Sequence, residues 1–235
     1  MANFQTHITT STVLGVGYAA AGHYLYDIAP AHCLVAGALC SIGGMLPDLD
    51  SDSGIPVREM LCFVSVLVPM LMLRRFEALG LTPELMVFAA GVMYVSIRFG
   101  VGFIFKRYTK HRGMWHSLPA AAIAGLITFL VCLSPELNVR IFKSWGMVLG
   151  FISHLVLDEI YSVDFRGRRL KKSAGTAMKF WGKRPWPNYS TYAKLIFLIL
   201  LVMSDGVVME RFGAEPLEIP WTAWVDRLLD KSFMR

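Results

Sequence analysis

Long apolar runs, separated by short polar stretches, dominate the chain. The runs are continuous rather than alternating, which favours helices over half-buried strands, and a lone sheet cannot satisfy its edges in lipid. A bilayer-spanning helix needs about 20 residues, which is close to the length of most runs. The pattern therefore predicts an all-α, polytopic integral membrane bundle of about seven embedded helices. They cover residues 11–28, 31–46, 59–73, 84–105, 117–134, 144–162 and 192–209.

The composition supports membrane embedding over a larger soluble core. The 235 residues are 55% hydrophobic and 17% charged, the mean hydropathy is +0.51, and soluble domains carry about 25% charged residues. We expect one membrane-embedded domain over residues 1–210 and a short amphipathic tail over 211–235, where Trp221 and Trp224 suit an interface. The first residues lack the basic stretch of a cleavable signal peptide. The four cysteines lie inside apolar runs, which indicates buried thiols rather than disulfides.

The distribution of lysine and arginine predicts the orientation. If all seven segments cross the bilayer, one side holds 14 of these residues and the other holds 8, with Arg98 inside a segment. The more basic side is cytoplasmic by the positive-inside rule. We therefore expect a multi-pass protein of the cytoplasmic (inner) membrane with its C-terminus outside. The cytoplasmic side then includes the N-terminus and the loops 47–58, 106–116 and 163–191.

The conspicuous polar motifs all fall on that cytoplasmic side. They are His7, the PDLDSDSG stretch with Asp48, Asp50 and Asp52, the HRGMWHS stretch with His111 and His116, and the SHLVLDE stretch with His154 and Asp158. His154 and Asp158 are one helical turn apart, so they share a face. Imidazole combined with carboxylate suits zinc, manganese or iron. The number of such groups exceeds what one tetrahedral ion needs, so the motifs predict a site for two or more divalent ions.

Each motif alone also has a simpler interpretation. The PDLD stretch could be a solvated turn in which an aspartate caps the next helix, and Asp52 is expected to be a turn residue or to lie outside the ligand shell. The pair of His154 and Asp158 could be a structural hydrogen bond. His23 and His32 are interpreted as polar tips at the interface. Together the motifs favour a functional site, because ionisable residues at membrane depth are costly and tend to be functional.

The order of the motifs, a histidine near the N-terminus followed by PDxD, HRxxxHS and SHxxxD, resembles the YdjM-like family of bacterial membrane-bound metal-dependent hydrolases. The resemblance implies a helical membrane hydrolase. Its metal ligands would be His7, Asp48, Asp50, His111, His116, His154 and Asp158. The N-terminal histidine and the HxxxD helix are also similar, more distantly, to the helical zinc phospholipase C and nuclease group, which cleaves phosphoesters with a zinc cluster; that likeness is at the level of the fold.

These expectations favour a hydrolase that cleaves a phosphoester of a lipid or lipid-linked substrate with metal-activated water. Catalytic roles are predicted for Asp50, His116 and Arg112. The fork of Arg112 could hold a phosphate oxygen, or it could anchor the loop at the interface. Ser117 could bind a ligand or cap the following helix, and Glu159 is a further candidate for a general base.

The basic loop 163–191 predicts contact with anionic lipid head groups, or it only sets the topology. A nucleic-acid partner is not expected, and the sequence does not predict an oligomeric state. Two other functions stay open. A metal or proton transporter also uses histidine and aspartate inside the membrane, although its site is expected near mid-membrane and often within a repeat. A non-catalytic membrane scaffold would leave the histidines and aspartates unexplained.

Overall fold

The computed structural model describes residues 3–50, 54–101, 114–164, 169–170, 178–182 and 184–213. Eight α-helices lie in these residues: α1 (Phe4–Tyr26), α2 (Pro30–Gly43), α3 (Gly54–Ala78), α4 (Pro83–Val95), α5 (Leu118–Val131), α6 (Leu137–Ile160), α7 (Pro185–Met203) and α8 (Gly206–Arg211). A 3-10 helix (Leu46–Asp50) follows α2, and a π-helix (Ser96–Val101) continues α4. Two short strands, Val163–Asp164 and Arg169–Leu170, pair antiparallel after α6.

The all-α class is confirmed for the described residues, and the predicted segments correspond to helices with shifted ends. Three helices begin seven residues earlier than predicted: α1 at Phe4, α6 at Leu137 and α7 at Pro185. Arg140 and Lys143, which the sequence pattern assigned to a loop, are therefore helical and buried. Hydropathy excluded them because it scores a charged residue as polar whether or not it has a partner.

The C-terminal part of the predicted bundle also differs in detail. The segment predicted over 192–209 divides into α7 and α8, and the Asp205 side chain caps α8 by accepting a hydrogen bond from the Val207 N–H. Because α7 begins at Pro185, the loop predicted over 163–191 is shorter at its C-terminal end. Most of the predicted tail over 211–235 lies outside the described residues.

Two stretches of the described chain are long and apolar enough to cross a bilayer. They are Pro30–Asp48, which combines α2 with the 3-10 helix, and α6. Helix α5 is apolar but has only 14 residues. Helix α7 has 19 residues, but Asn188, Ser190 and Lys194 lie in its first half. The predicted number of seven spans therefore stays a prediction.

Helices α1, α2 and α6 form the centre of the bundle through close backbone contacts. Gly150 of α6 lies against the carbonyl oxygen of Cys40 in α2, where a Cβ atom would not fit. Gly15 of α1 packs in the same way against the Gly37 carbonyl of α2. Small residues at helix–helix contacts are typical of membrane bundles, because close backbone approach strengthens van der Waals packing. These contacts hold the C-terminal ends of α2 and α6 side by side.

Near the first turn of α6, Arg140 makes a buried bidentate ion pair with Asp205. Its Nη1 and Nη2 atoms donate to the two carboxylate oxygens at 2.7 and 2.8 Å. Nη2 also donates to the Phe129 carbonyl at 3.1 Å, and the guanidinium carbon lies 4.1 Å from the centroid of the Phe129 ring. Arg140 is 1% exposed. The pair joins α5, α6 and the corner between α7 and α8.

Candidate metal centre

Four helix ends meet at the other end of α6 and bring five predicted ligands together. These ligands are His7 in the first turn of α1, Asp48 in the 3-10 helix after α2, His116 just before α5, and His154 and Asp158 in the last two turns of α6. They form two overlapping groups, His7–His154–Asp158 and Asp48–His116–His154. Within each group, one ligand atom from every residue lies within 4.8 Å of the others. His154 belongs to both groups.

A backbone contact fixes the ring of His154. Its Nδ1 atom lies 2.8 Å from the carbonyl oxygen of Gly44. A carbonyl can only accept, so Nδ1 carries the proton in this contact and Nε2 presents its lone pair. The side chain is 0% exposed, and Nε2 has no hydrogen-bond partner among the described residues. A metal-ligating histidine usually donates its other ring N–H to a carbonyl or carboxylate, and His154 has this arrangement.

Two carboxylates face the Nε2 atom of His154. Oδ1 of Asp48 is 3.7 Å from it and Oδ2 of Asp158 is 3.8 Å from it. Oδ1 of Asp158 is 3.5 Å from Nε2 of His7. Good hydrogen bonds are shorter, at about 2.7–3.2 Å, whereas two ligand atoms on one tetrahedral zinc ion are about 3.4 Å apart. The spacing is therefore closer to the edges of a coordination shell than to a hydrogen-bonded network.

The three imidazole rings are packed against one another. The rings of His7 and His154 stack with their centroids 3.7 Å apart and 14° between their planes. The ring of His116 meets that of His154 edge-on, at 5.8 Å and 62°. All three side chains are at most 2% exposed. The site thus brings imidazole nitrogens from three separate parts of the chain together in one buried volume.

The residues around His116 are held by backbone contacts. Trp115 donates from Nε1 to the Leu46 carbonyl at 2.9 Å, which joins this turn to the 3-10 helix of Asp48. The hydroxyl of Ser117 accepts from the Ala120 N–H at 3.3 Å and is the N-cap of α5. His116 therefore lies between two neighbours whose positions are fixed.

Five of the seven predicted metal ligands are thus brought together, and two are not described. His111 lies outside the described residues, and so does the side chain of Asp50. The predicted catalytic residue Arg112 and the predicted turn residue Asp52 also lie outside them. Glu159 is half-buried and belongs to neither ligand group. The roles of these residues stay predictions.

The donor set fits a divalent transition metal ion. Imidazole nitrogens combined with carboxylate oxygens are the usual protein ligands of zinc and also suit manganese and iron. Because Nδ1 of His154 is occupied by Gly44, His154 can serve one ion only, through Nε2. Asp158 has one oxygen near His7 and the other near His154, so this carboxylate could bridge two ions. The arrangement is compatible with one ion or with two.

Sequence reasoning missed two features that organise the molecule. The first is the Gly44 carbonyl, which orients His154; the paired glycines at the end of an apolar run were a signal for close backbone approach. The second is the pair of Arg140 and Asp205. Arg140 was predicted in the loop before residue 144 and Asp205 inside the segment 192–209, where an acidic residue in an otherwise apolar run was a signal for a buried partner.

A model of one protein family, described as YdjM inner membrane protein, matches residues 1–212. This match covers most of the chain and includes every described ligand of the site. Neither the curated proteins nor the solved structures contain a match to the chain.

Proposed function

The chain belongs to the YdjM family of inner membrane proteins, and on that premise we propose that it is a metal-dependent hydrolase. The proposed ligands of its divalent ions, with zinc favoured and two or more ions expected, include the five residues of the two overlapping groups. Asp50 and His111 are proposed to complete the shell. The proposed substrate is a phosphoester of a lipid or of a lipid-linked molecule.

The observation that carries this proposal is the environment of His154. Its Nε2 atom is buried without a hydrogen-bond partner among the described residues, and two carboxylates face it at 3.7 and 3.8 Å. Two nearby carboxylates repel each other, and the repulsion is stronger in a partly buried site than in water. A divalent cation between Asp48 and Asp158 would offset that repulsion. A purely structural cluster would instead be expected to satisfy its buried polar atoms.

A bound divalent ion would polarise a phosphoryl oxygen and acidify a coordinated water molecule. The chain's own residues would hold and orient the reactants. The histidines supply neutral ligands, so two divalent ions held with Asp48, Asp50 and Asp158 would keep a positive charge for an anionic phosphoester. The Asp48 side chain is 21% exposed, whereas that of Asp158 is 7% exposed and that of His154 is fully buried. Asp48 thus lies on the side from which a substrate can approach, and Arg112 is proposed to hold a phosphate oxygen there.

We place the site at the cytoplasmic face of a multi-pass protein whose C-terminus lies outside. The excess of basic residues on the side of His7 and of the predicted loop 163–191 supports this orientation. The 18 residues from Arg140 to Asp158 rise about 27 Å along α6, and the hydrocarbon core of a bilayer is about 30 Å thick. The helix length therefore suits a site at one face and the Arg140 pair near the other.

The proposal is tested on the full chain in lipid nanodiscs. Elemental analysis would count bound metal, and a panel of lipid phosphoesters would be assayed for hydrolysis. Replacing His154 by Ala or Asp48 by Asn should remove bound metal and abolish turnover, because each change removes a ligand. His23→Ala is the matched histidine control. Asp27→Asn is the matched aspartate control, because Asp27 is exposed and has a positive φ of 52° that asparagine also tolerates.

The outcomes separate the candidate functions. Wild-type protein without stoichiometric metal would refute the metal site and leave a scaffold. Metal without phosphoester cleavage would refute the phosphoesterase. Amides and peptides would then be assayed as substrates, before zinc uptake into proteoliposomes is measured as a sign of transport.

A further inference from the structure

A group of exposed aromatic side chains lies next to the candidate metal centre. Phe180 is 65% exposed, Trp181 57%, Trp186 79% and Tyr189 64%. The ring of Trp181 contacts the ring of Tyr189 edge-on at 6.2 Å. We call these four residues the aromatic bracket. Large aromatic side chains rarely stay this exposed in water, because burying them is strongly favourable.

Hydrogen bonds from the side chains of Asn188 and Tyr192 hold the aromatic bracket in place. Asn188, which is 0% exposed, accepts from the Gly182 N–H and donates to the Gly182 carbonyl, both at 2.8 Å. Tyr192 donates its hydroxyl to the Phe180 carbonyl at 2.8 Å and packs its ring 5.4 Å from that of Trp181. The fold thus holds these rings outward in a defined position.

The aromatic bracket is also joined to the residues that flank His116. The Leu118 N–H donates to the Lys179 carbonyl at 3.2 Å. Gly182 lies so close to Met114 that an added Cβ atom would be 3.2 Å from the methionine sulfur. His116 lies between Met114 and Leu118, so the bracket and this site residue are parts of one local structure.

The charged residues of the sequence that contains the bracket are all basic. Between Asp164 and Asp205 the sequence has nine lysines and arginines and no acidic residue. Arg184 and Lys194 of this set are exposed beside the bracket. Farther along α7 the exposed side chains become apolar, with Ile196 58%, Phe197 61% and Leu200 63% exposed.

This order of aromatic and basic residues followed by aliphatic residues matches the interface of a bilayer. Tryptophan and tyrosine are enriched at the head-group level, and basic residues are attracted to anionic lipids. Trp186 and Leu200 are 14 residues apart, which is about 21 Å along a helix. That rise leads from the head groups deep into the hydrocarbon.

We propose that the aromatic bracket docks on the phospholipid head-group layer and holds the candidate metal centre at the same depth. The proposed docking depends on the membrane location of the family. It does not depend on the proposed hydrolysis. Its consequence for substrate rests on the proposed function: at this depth the site meets the phosphate of a phospholipid head group and not its acyl chains.

The depth is measured with nitroxide labels on a full-length variant whose four cysteines are replaced by alanine. A label at Trp186→Cys or Tyr189→Cys should collide comparably with oxygen and with a water-soluble nickel chelate, as expected at head-group depth. A label at Leu200→Cys should collide mainly with oxygen. The proposal is overturned if the bracket labels are as accessible to nickel as a label at exposed Asp27, or as deep as the label at Leu200. The oxygen and nickel measurements need neither bound metal nor turnover. The proposed hydrolysis can therefore fail while the proposed docking holds.

The lipid preference is measured with spin-labelled phosphatidylglycerol and phosphatidylcholine in the same nanodiscs. The wild type should prefer the anionic lipid. Arg184→Gln with Lys194→Gln should reduce that preference by about fivefold for each charge lost, from about 1 kcal/mol per basic residue near anionic lipid. Arg184→Lys with Lys194→Arg, which keeps both charges, should leave it unchanged. Equal preference in all three proteins would show that Arg184 and Lys194 do not lie at anionic head groups, which would overturn the docking of the bracket beside them.

Discussion

Both ends of α6 bury ionisable side chains, but the distances from these side chains to their partners differ. At one end Arg140 has Asp205 and the Phe129 carbonyl as hydrogen-bond partners, at 2.7–3.1 Å. At the other end the buried Nε2 atom of His154 has two carboxylates at 3.7 and 3.8 Å and no hydrogen-bond partner in the described chain. The Arg140 end is a complete ion pair, whereas the distances at the His154 end fit the metal centre that we propose. Partner distance, more than burial, distinguishes the structural ion pair from the proposed metal centre.

The largest effect on stability is expected at the ion pair of Arg140 and Asp205. Arg140→Leu should lower the free energy of unfolding by about 3–5 kcal/mol, because it leaves the Asp205 carboxylate without its buried counter-charge. Denaturation in mixed micelles would measure this loss. The double variant Arg140→Leu with Asp205→Leu should recover much of it. Unchanged stability in the single variant would show that the pair is solvated.

At the metal end, stability should depend on the ion. Zinc at about 100 times its dissociation constant should add about 2.7 kcal/mol to the free energy of unfolding of the wild type. The same titration should add nothing to His154→Ala, since its ligand is missing. His23→Ala should respond as the wild type does. A full response in His154→Ala would place the zinc elsewhere.

The close contact between α2 and α6 should affect both helix packing and zinc binding. Gly150→Ala should cost about 1–3 kcal/mol through overpacking, because the new methyl group would meet the rigid Cys40 carbonyl. It should also weaken zinc binding, since it separates Gly44 from His154. Gly17→Ala is the matched helical control, because nothing lies within 4 Å of its added Cβ. Equal effects of the two substitutions on zinc affinity would exclude this coupling.

The smallest effect is expected at the hydrogen bond that supports His116. Trp115→Phe removes the donor to the Leu46 carbonyl and should cost about 1 kcal/mol of stability. Zinc affinity should fall about 10–100-fold, as is typical when an outer support of a metal ligand is lost. Trp145→Phe, at a side chain that is 55% exposed, should change neither quantity. Unaltered zinc affinity in Trp115→Phe would show that His116 is positioned without this bond.

Much of the helical fold could be predicted because the length and the composition of an apolar run are local properties of the sequence. The start of α6 could not, because the burial of Arg140 depends on Asp205, which is 65 residues away in the sequence. In the candidate site, the pairing of His154 with Asp158 followed from helical spacing alone. The contact of His154 with the Gly44 carbonyl did not, because it depends on how closely α2 and α6 approach. Sequence spacing thus predicted which residues could act as metal ligands. Long-range packing determines how their side chains are oriented.

The meeting of four helix ends at the site has an electrostatic consequence. The N-terminus of a helix carries about half a positive elementary charge and its C-terminus about half a negative one. Helices α1 and α5 begin at the site, while α2 and α6 end there, so the four partial charges nearly cancel. The backbone therefore gives the site almost no preference for cations or anions. Attraction for a divalent ion rests on the carboxylates, and the two described ones, Asp48 and Asp158, would neutralise one such ion between them.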